Sequence, residues 1–351
     1  MKWEKVQLGE VLIYEQPTKY IVESEDYDDS FSTPVLTAGK TFILGYTDET
    51  QGIYNNLPAI IFDDFTTESK FVTFPFKVKS SAMKILTCDP DVADVRYMFY
   101  LLKNLKVLTD QHKRYWISKF ANIEVPLPPL HIQQQIADTL DKADALRRKD
   151  QELLQKYDKL AQSIFYDMFG DPVRNEKGWD VSNLGDLVIN CNNKRIPVKE
   201  ADRARLKKVF PYYGASGIID YVDNFLFDGM HLLVGEDGAN LISRSTPIAF
   251  LAEGQFWVNN HAHVMREKDL PLEYIETVIN NIDLKPYVSG SAQPKLTREK
   301  LDNLPIINPP TSLTQGFVER LKTLRKSLLF VEENMKISDK LFRGAADNYF
   351  S

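Results

Sequence analysis

The chain has 351 residues, 43% of them hydrophobic and 26% charged, with a net charge of −6. That length exceeds one ordinary core, so about two domains are expected, and the composition excludes disordered and membrane-embedded classes. Two cysteines exclude a disulfide scaffold and a cysteine zinc site, while a start without a signal-peptide core makes the cytoplasm the expected compartment.

The chain opens on WEKVQLGEV, Trp3 to Val11. Residues 1–128 then alternate short apolar, β-branched and aromatic runs with turn residues, which predicts strands and hairpins. A short helix is expected around Asp94–Lys106. PVLTAGKT (Pro34 to Thr41) resembles a phosphate loop, but Pro34 stands where a glycine must let the backbone curl around phosphate. Asp63 and Asp64 are adjacent and point to opposite faces of a strand, a poor geometry for paired acid–base work. Lys77, Lys79 and Lys84, then Lys113, Arg114, Tyr115, Trp116 and Lys119, form local basic clusters of the type that contacts phosphate.

After Pro128-Pro129 there is no proline or glycine until Gly170. Proline before the start and Gly170-Asp171-Pro172 after the end predict one helix of about forty residues, roughly 55–60 Å long.

The pattern then repeats. WDVSNLGDL returns Trp3, Leu8 and Gly9 as Trp179, Leu184 and Gly185, at an offset of 176. Further on, Ile123–Ile136 matches Leu304–Phe317 at an offset of 181, with Pro128-Pro129 against Pro309-Pro310. The net five-residue insertion falls in the middle of the unit, where the copies differ most. Residues 173–308 again read as strands and hairpins, with a short helix near Leu272–Asn281. NPPT (Asn308 to Thr311) resembles the loop of amino-methylating enzymes, but Thr311 replaces the aromatic that would stack on a flipped base. His261 and His263, two apart in NNHAH, could share a strand face and hold a metal, yet no third ligand relates to them; a polar strand is the expectation. Basic residues recur at Lys194, Arg195, Arg203, Arg205, Lys207, Lys208, Arg244 and Lys295.

A second long helix is expected from Thr311 to about Phe350. Alternating steps of three and four give it the seam Leu321, Leu324, Leu328, Val331, Met335 and Phe342. The first helix answers with Leu140, Leu154, Tyr157 and Ile164, interrupted by Arg147 and Asp150. Neither stripe can be buried on a small domain, so the two helices are expected to pair as an antiparallel coiled coil. The expected architecture is α+β with β dominant and a pseudo-twofold internal repeat. It comprises a β-rich domain (1–128), a central helix (129–172), a second β-rich domain (173–308) and a C-terminal helix (309–351).

These strings together resemble the specificity (S) subunit of type I restriction–modification systems. The resemblance rests on W-x5-LG in each half, HKRYWISKFANIEVPLPPLHIQQQIADTLDKAD, VGEDGANL followed by FWVNNHAHV, and GSAQPKLTREKLDNLPIINPP. It implies two target-recognition domains joined by conserved helices, and a non-catalytic reader of an asymmetric, bipartite double-stranded DNA target. The partners implied are two methyltransferase subunits and restriction subunits, without a membrane. S-adenosylmethionine, ATP and Mg2+ would then sit on those partners, with no cofactor or metal here. Candidate DNA contacts are Lys77, Lys79, Lys113, Arg114, Tyr115 and Trp116 in the first domain. In the second they are Asn240, Arg244, Asn259, Asn260, His261, Gln293 and Lys295. The competing readings are an enzyme with its own recognition domains, a coiled-coil adaptor that binds protein, and a specificity-like subunit of another phage-defence system.

Overall fold

The structure is a computed structural model that describes residues 3–37, 41–105, 115–117, 119–290 and 293–350. It divides into two compact units. The first runs to Glu152 and resumes at Glu332, and the second is Leu153–Val331.

In the first unit the strands are β1 (Lys5–Gln7), β2 (Leu12–Glu15), β3 (Thr33–Leu36), β4 (Ile43–Thr47), β5 (Ala59–Asp63), β6 (Ser69–Val72), β7 (Lys77–Val78), β8 (Met83–Cys88) and β9 (Glu124–Pro126). They form a β1-β9 pair, a four-stranded antiparallel sheet ordered β2-β8-β5-β6, and a mixed sheet ordered β4-β3-β7. Every residue of β5 is buried. Alternate side chains explain it: Ile60 and Phe62 enter one core with Tyr97 and Leu101, while Ala59 and Ile61 enter another with Leu36 and Phe76. The helix Val95–Asn104 supplies the first cover. Asp94 starts it by accepting from the Arg96 and Tyr97 amides at 2.8 and 3.3 Å.

The second unit repeats this plan. Its strands are β10 (Asp180–Asn183), β11 (Val188–Asn190), β12 (Phe210–Gly214), β13 (Gly217–Val222), β14 (His231–Gly235), β15 (Ala249–Ala252), β16 (Trp257–Val258), β17 (Ala262–Glu267) and β18 (Pro305–Asn308). The sheet orders are β10-β18, β11-β17-β14-β15 and β13-β12-β16, strand for strand those of the first unit. The helix Leu272–Asn281 takes the place of Val95–Asn104. Tyr97 Oη donates to the Pro126 carbonyl at 2.7 Å, and Tyr274 Oη to the Ile307 carbonyl at 3.0 Å, so both helices are pinned alike.

The central helix spans Leu130–Phe169 and the C-terminal helix Thr311–Phe350. They run antiparallel. In the first unit Ile136, Ala137 and Leu140 share a core with Phe342 and Ala346. In the second, Phe165 and Phe169 share one with Phe317 and Leu321. Leu140, Leu321 and Val331 are buried, while Leu154, Tyr157, Ile164, Leu324, Leu328, Met335 and Phe342 are half-buried. The two polar interruptions of the first seam are paired across the helices. Arg147 Nε donates to Asp339 Oδ1 at 2.5 Å, and Ser338 donates to Asp150 Oδ2 at 3.1 Å. Among the described residues no helix is long and apolar enough to cross a membrane.

Candidate functional site

Three strings far apart in sequence meet beyond the end of β14. The Glu236 amide donates to the His261 carbonyl at 2.8 Å, and the Glu236 carbonyl accepts from the Leu296 amide at 2.8 Å. VGEDGANL, NNHAH and QPKL (Gln293 to Leu296) therefore lie side by side. Gly290 makes the last approach possible. Its φ is +84°, and an added Cβ would stand 2.6 Å from the Gln293 carbonyl oxygen.

Glu236 is the electrostatic centre. Its carboxylate takes Arg195 Nη1 at 2.7 Å and Lys295 Nζ at 3.3 Å. Burial opposes its ionisation, but the hydrogen bond from Arg195 and the nearby positive charges outweigh it and hold the carboxyl below its usual range. Arg195 also donates to the Ala262 carbonyl at 2.7 Å, tying the loop to β17.

His263 is buried beside this pair, and its tautomer is fixed. The Val264 amide donates to Asn192 Oδ1 at 2.8 Å, so Asn192 Nδ2 faces His263 Nδ1 at 2.8 Å as a donor. Nε2 then carries the proton and donates to the Leu296 carbonyl at 2.8 Å. The ring is neutral, and its 3.7 Å approach to Glu236 is not an ion pair. His261 lies outside the strand, half exposed, with Nδ1 2.8 Å from Asp237 Oδ2. The two histidines share no face. Among the described residues no group of three His, Cys, Asp or Glu side chains is placed to hold a metal.

The first unit holds an equivalent anchor. In the sheets, Phe62 pairs with Lys84 as Val234 pairs with His263, which sets Asp64 opposite Glu236 in the alignment. Asp64 Oδ2 lies 3.5 Å from Lys84 Nζ, with both side chains almost fully buried. Its carbonyl accepts from the Tyr115 amide at 3.0 Å, as that of Glu236 does from Leu296. Asp64 Oδ1 accepts from the Trp116 amide at 2.8 Å. Asp63 does a separate task, accepting from the Phe65 amide and the Thr66 hydroxyl at 2.9 and 2.6 Å.

The residues expected to contact a ligand therefore divide. Asn260, His261, Gln293 and Lys295 are exposed around the Glu236 network. Asn259 is buried, with Oδ1 accepting from the His261 amide at 2.8 Å. Asn240 holds the turn to Thr246, and Arg244 is half-buried against the Ile282 carbonyl. In the first unit Lys79 is half exposed and paired with Glu25. Lys77 is buried, bound to Glu49 and to the Gln51 carbonyl, both at 2.6 Å. Tyr115 and Trp116 belong to the core, where Trp116 packs on Phe62 at 5.3 Å between ring centroids. A basic string marked them as surface residues, but their rings fill space behind the strands. Lys113 and Arg114 lie outside the described residues.

Sequence reasoning overlooked Arg195, Glu236, Asp237 and Asn192 as one network. The available signal was the acidic residues directly after an apolar strand in both halves, FDD and VGED.

The chain spans 38% of the specificity subunit of the type I restriction enzyme EcoR124I/EcoR124II of Escherichia coli, 50% identical over 155 residues, 41% of this chain. It spans 58% of the specificity subunit of the E. coli type I restriction enzyme EcoprrI, 26% identical over 242 residues, 62% of this chain. The fold resembles the crystal structure of a type I restriction–modification S subunit from M. genitalium. That match covers 100% of this chain and 96% of the other, with a TM-score of 0.73 and 14% identity. Residues 1–156 and 176–338 match the family described as type I restriction modification DNA specificity domain. That match takes in both copies of the repeat, and the chain belongs to this family.

Proposed function

We propose that this chain is the DNA-reading subunit of a type I restriction–modification complex. Residues 1–128 and 173–308 would each read one half of an asymmetric, split double-stranded target. The helices in 129–172 and 309–351 would bind two methyltransferase subunits and set the number of unread base pairs between the halves. S-adenosylmethionine then belongs to the methyltransferase, ATP and Mg2+ to the restriction subunits, and the chain itself performs no chemistry. The cytoplasm, where the host DNA lies, is the proposed compartment.

One observation carries this reading. Both units use the same strand order and a carboxylate anchor at the same place, yet the anchor is Asp64–Lys84 in one and Glu236–Arg195 beside His263 in the other. A shared scaffold with unlike surroundings is what two readers of different sequences require. In the second unit the exposed Asn260, His261 and Gln293 offer donors and acceptors for base edges, and Lys295 a charge for phosphate.

Methylome sequencing of a host with and without the gene tests it, the expected result being loss of one bipartite adenine-methylation motif. In vitro, Lys113→Ala with Arg114→Ala should weaken DNA binding and flatten its salt dependence by about one unit per lost phosphate contact. Methyl transfer by the purified chain alone, or an unchanged methylome, would overturn the reading.

A further inference from the structure

The internal repeat exposes a difference between the two units that the DNA-reading role does not explain. In the first unit the space between the helix Val95–Asn104 and the paired long helices is filled by the chain itself. Tyr100 and Phe342 meet there with ring centroids 6.0 Å apart, and the Tyr100 hydroxyl donates to Asp141 Oδ1 at 2.7 Å. The Arg147 guanidinium lies over the Phe342 ring at 4.8 Å and is held by Asp339.

At the matching positions of the second unit the fillers are gone. Thr277 stands for Tyr100, Ala161 for Phe342, Leu328 for Arg147 and Lys322 for Asp141, while the carboxylate of Asp339 is retained as Asp158. The result is an open groove of about 390 Å³, lined by Ala161, Thr277, Leu321, Leu324 and Leu328, with Asp158 at its rim. Asp158 is exposed, and among the described residues it forms no ion pair. Glu276 and Arg325, also in the lining, satisfy each other at 2.5 Å. What the groove lacks, relative to its counterpart, is two aromatic rings, of which that of Phe342 lies under the Arg147 guanidinium, and that guanidinium.

We propose that this groove is a socket for an arginine–aromatic pair presented by a partner polypeptide, the ring seated over Ala161 and the guanidinium on Asp158. The first unit supplies the template for the occupant's chemistry, and the uncompensated carboxylate supplies the charge complement. The partner chemistry rests on the reading that the long helices dock another subunit. The socket itself rests on the groove.

Phenethylguanidine carries both groups and serves as the probe. Saturation-transfer NMR with the full chain should show its ring protons in contact with protein. Ala161→Phe with Thr277→Tyr should abolish that signal at an unchanged or higher Tm, since the rings refill the space as in the first unit. Asp158→Asn should weaken the probe about two- to fivefold, the scale of an exposed ion pair, and leave phenethyl alcohol unaffected. No saturation transfer to the wild-type chain, or equal signal from the filled variant, overturns the socket. A second arm titrates a co-expressed methyltransferase subunit. Its loss from the filled variant supports that partner, and undiminished binding there overturns a polypeptide occupant of the groove. If the wild-type chain binds no methyltransferase at all, the restriction–modification reading fails, and the probe still decides the socket.

Discussion

Arg195 and Glu236 form an ion pair at 2.7 Å with side chains 14% and 13% exposed, joining the turn after β11 to the loop after β14. Arg195→Ala leaves a largely buried carboxylate with the more exposed Lys295 as its remaining cation. The expected loss is about 3 kcal/mol of stability, read as a shift of the urea midpoint. Arg195→Lys should recover little of it, because one ammonium cannot reach Glu236 and the Ala262 and Asn192 carbonyls together.

The same site predicts a pH limb. Burial holds the pKa of His263 below its ordinary value of about 6.5, and burial does the same to His231, packed against Phe227 and Phe256. Below about pH 6.5 the unfolded chain takes up protons that the folded chain refuses, so stability falls as pH drops. The depressed Glu236 carboxyl adds a further loss in the acid range. Tm measured from pH 8 to 5 should decline, and His263→Gln with His231→Phe should flatten the upper part of that decline. A profile unchanged by both substitutions would refute the assignment.

Lys84 and Asp64 are 1% and 3% exposed, a more deeply buried pair than Arg195–Glu236. Lys84→Met should cost about 3–5 kcal/mol by leaving Asp64 as an unpaired buried charge. Adding Asp64→Asn should restore part of this, since the neutral amide can still accept from the Trp116 amide. Equilibrium unfolding of the single and double variants checks both statements.

Phe165, Phe169, Phe317 and Tyr274 form one fully buried aromatic group in the second unit, with Phe169 and Phe317 centroids 5.4 Å apart. Phe317→Ala should cost about 3–5 kcal/mol. Phe330→Ala, on an exposed side chain of the same helix, should change stability by less than about 0.5 kcal/mol. Denaturant curves of the two variants make the comparison.

The long helices were legible residue by residue. Pro128-Pro129 and Gly170 bracket a segment that is helical from Leu130 to Phe169, and the repeat carried the same reading to Thr311–Phe350. A short helix around Asp94–Lys106 was legible, and the structure places it at Val95–Asn104; β5 lies within one of the short apolar runs read as strands. The candidate site was harder to read. Tyr115 and Trp116 look like ligand-facing aromatics because they follow Lys113 and Arg114, yet they pack into the core. Lys77 and Lys84 look like surface charge, yet each is buried against one carboxylate.

Proline, glycine, capping residues and apolar period act within a few residues of themselves, so the sequence by itself determined the helices, the duplicated layout and the strand-rich segments between. Which charges are buried together was decided by tertiary structure. The pairing of Phe62 with Lys84 and of Val234 with His263 depends on the register of strands about twenty to thirty residues apart. No local pattern encodes that distance, and a slip of one residue would turn each of those side chains to the opposite face.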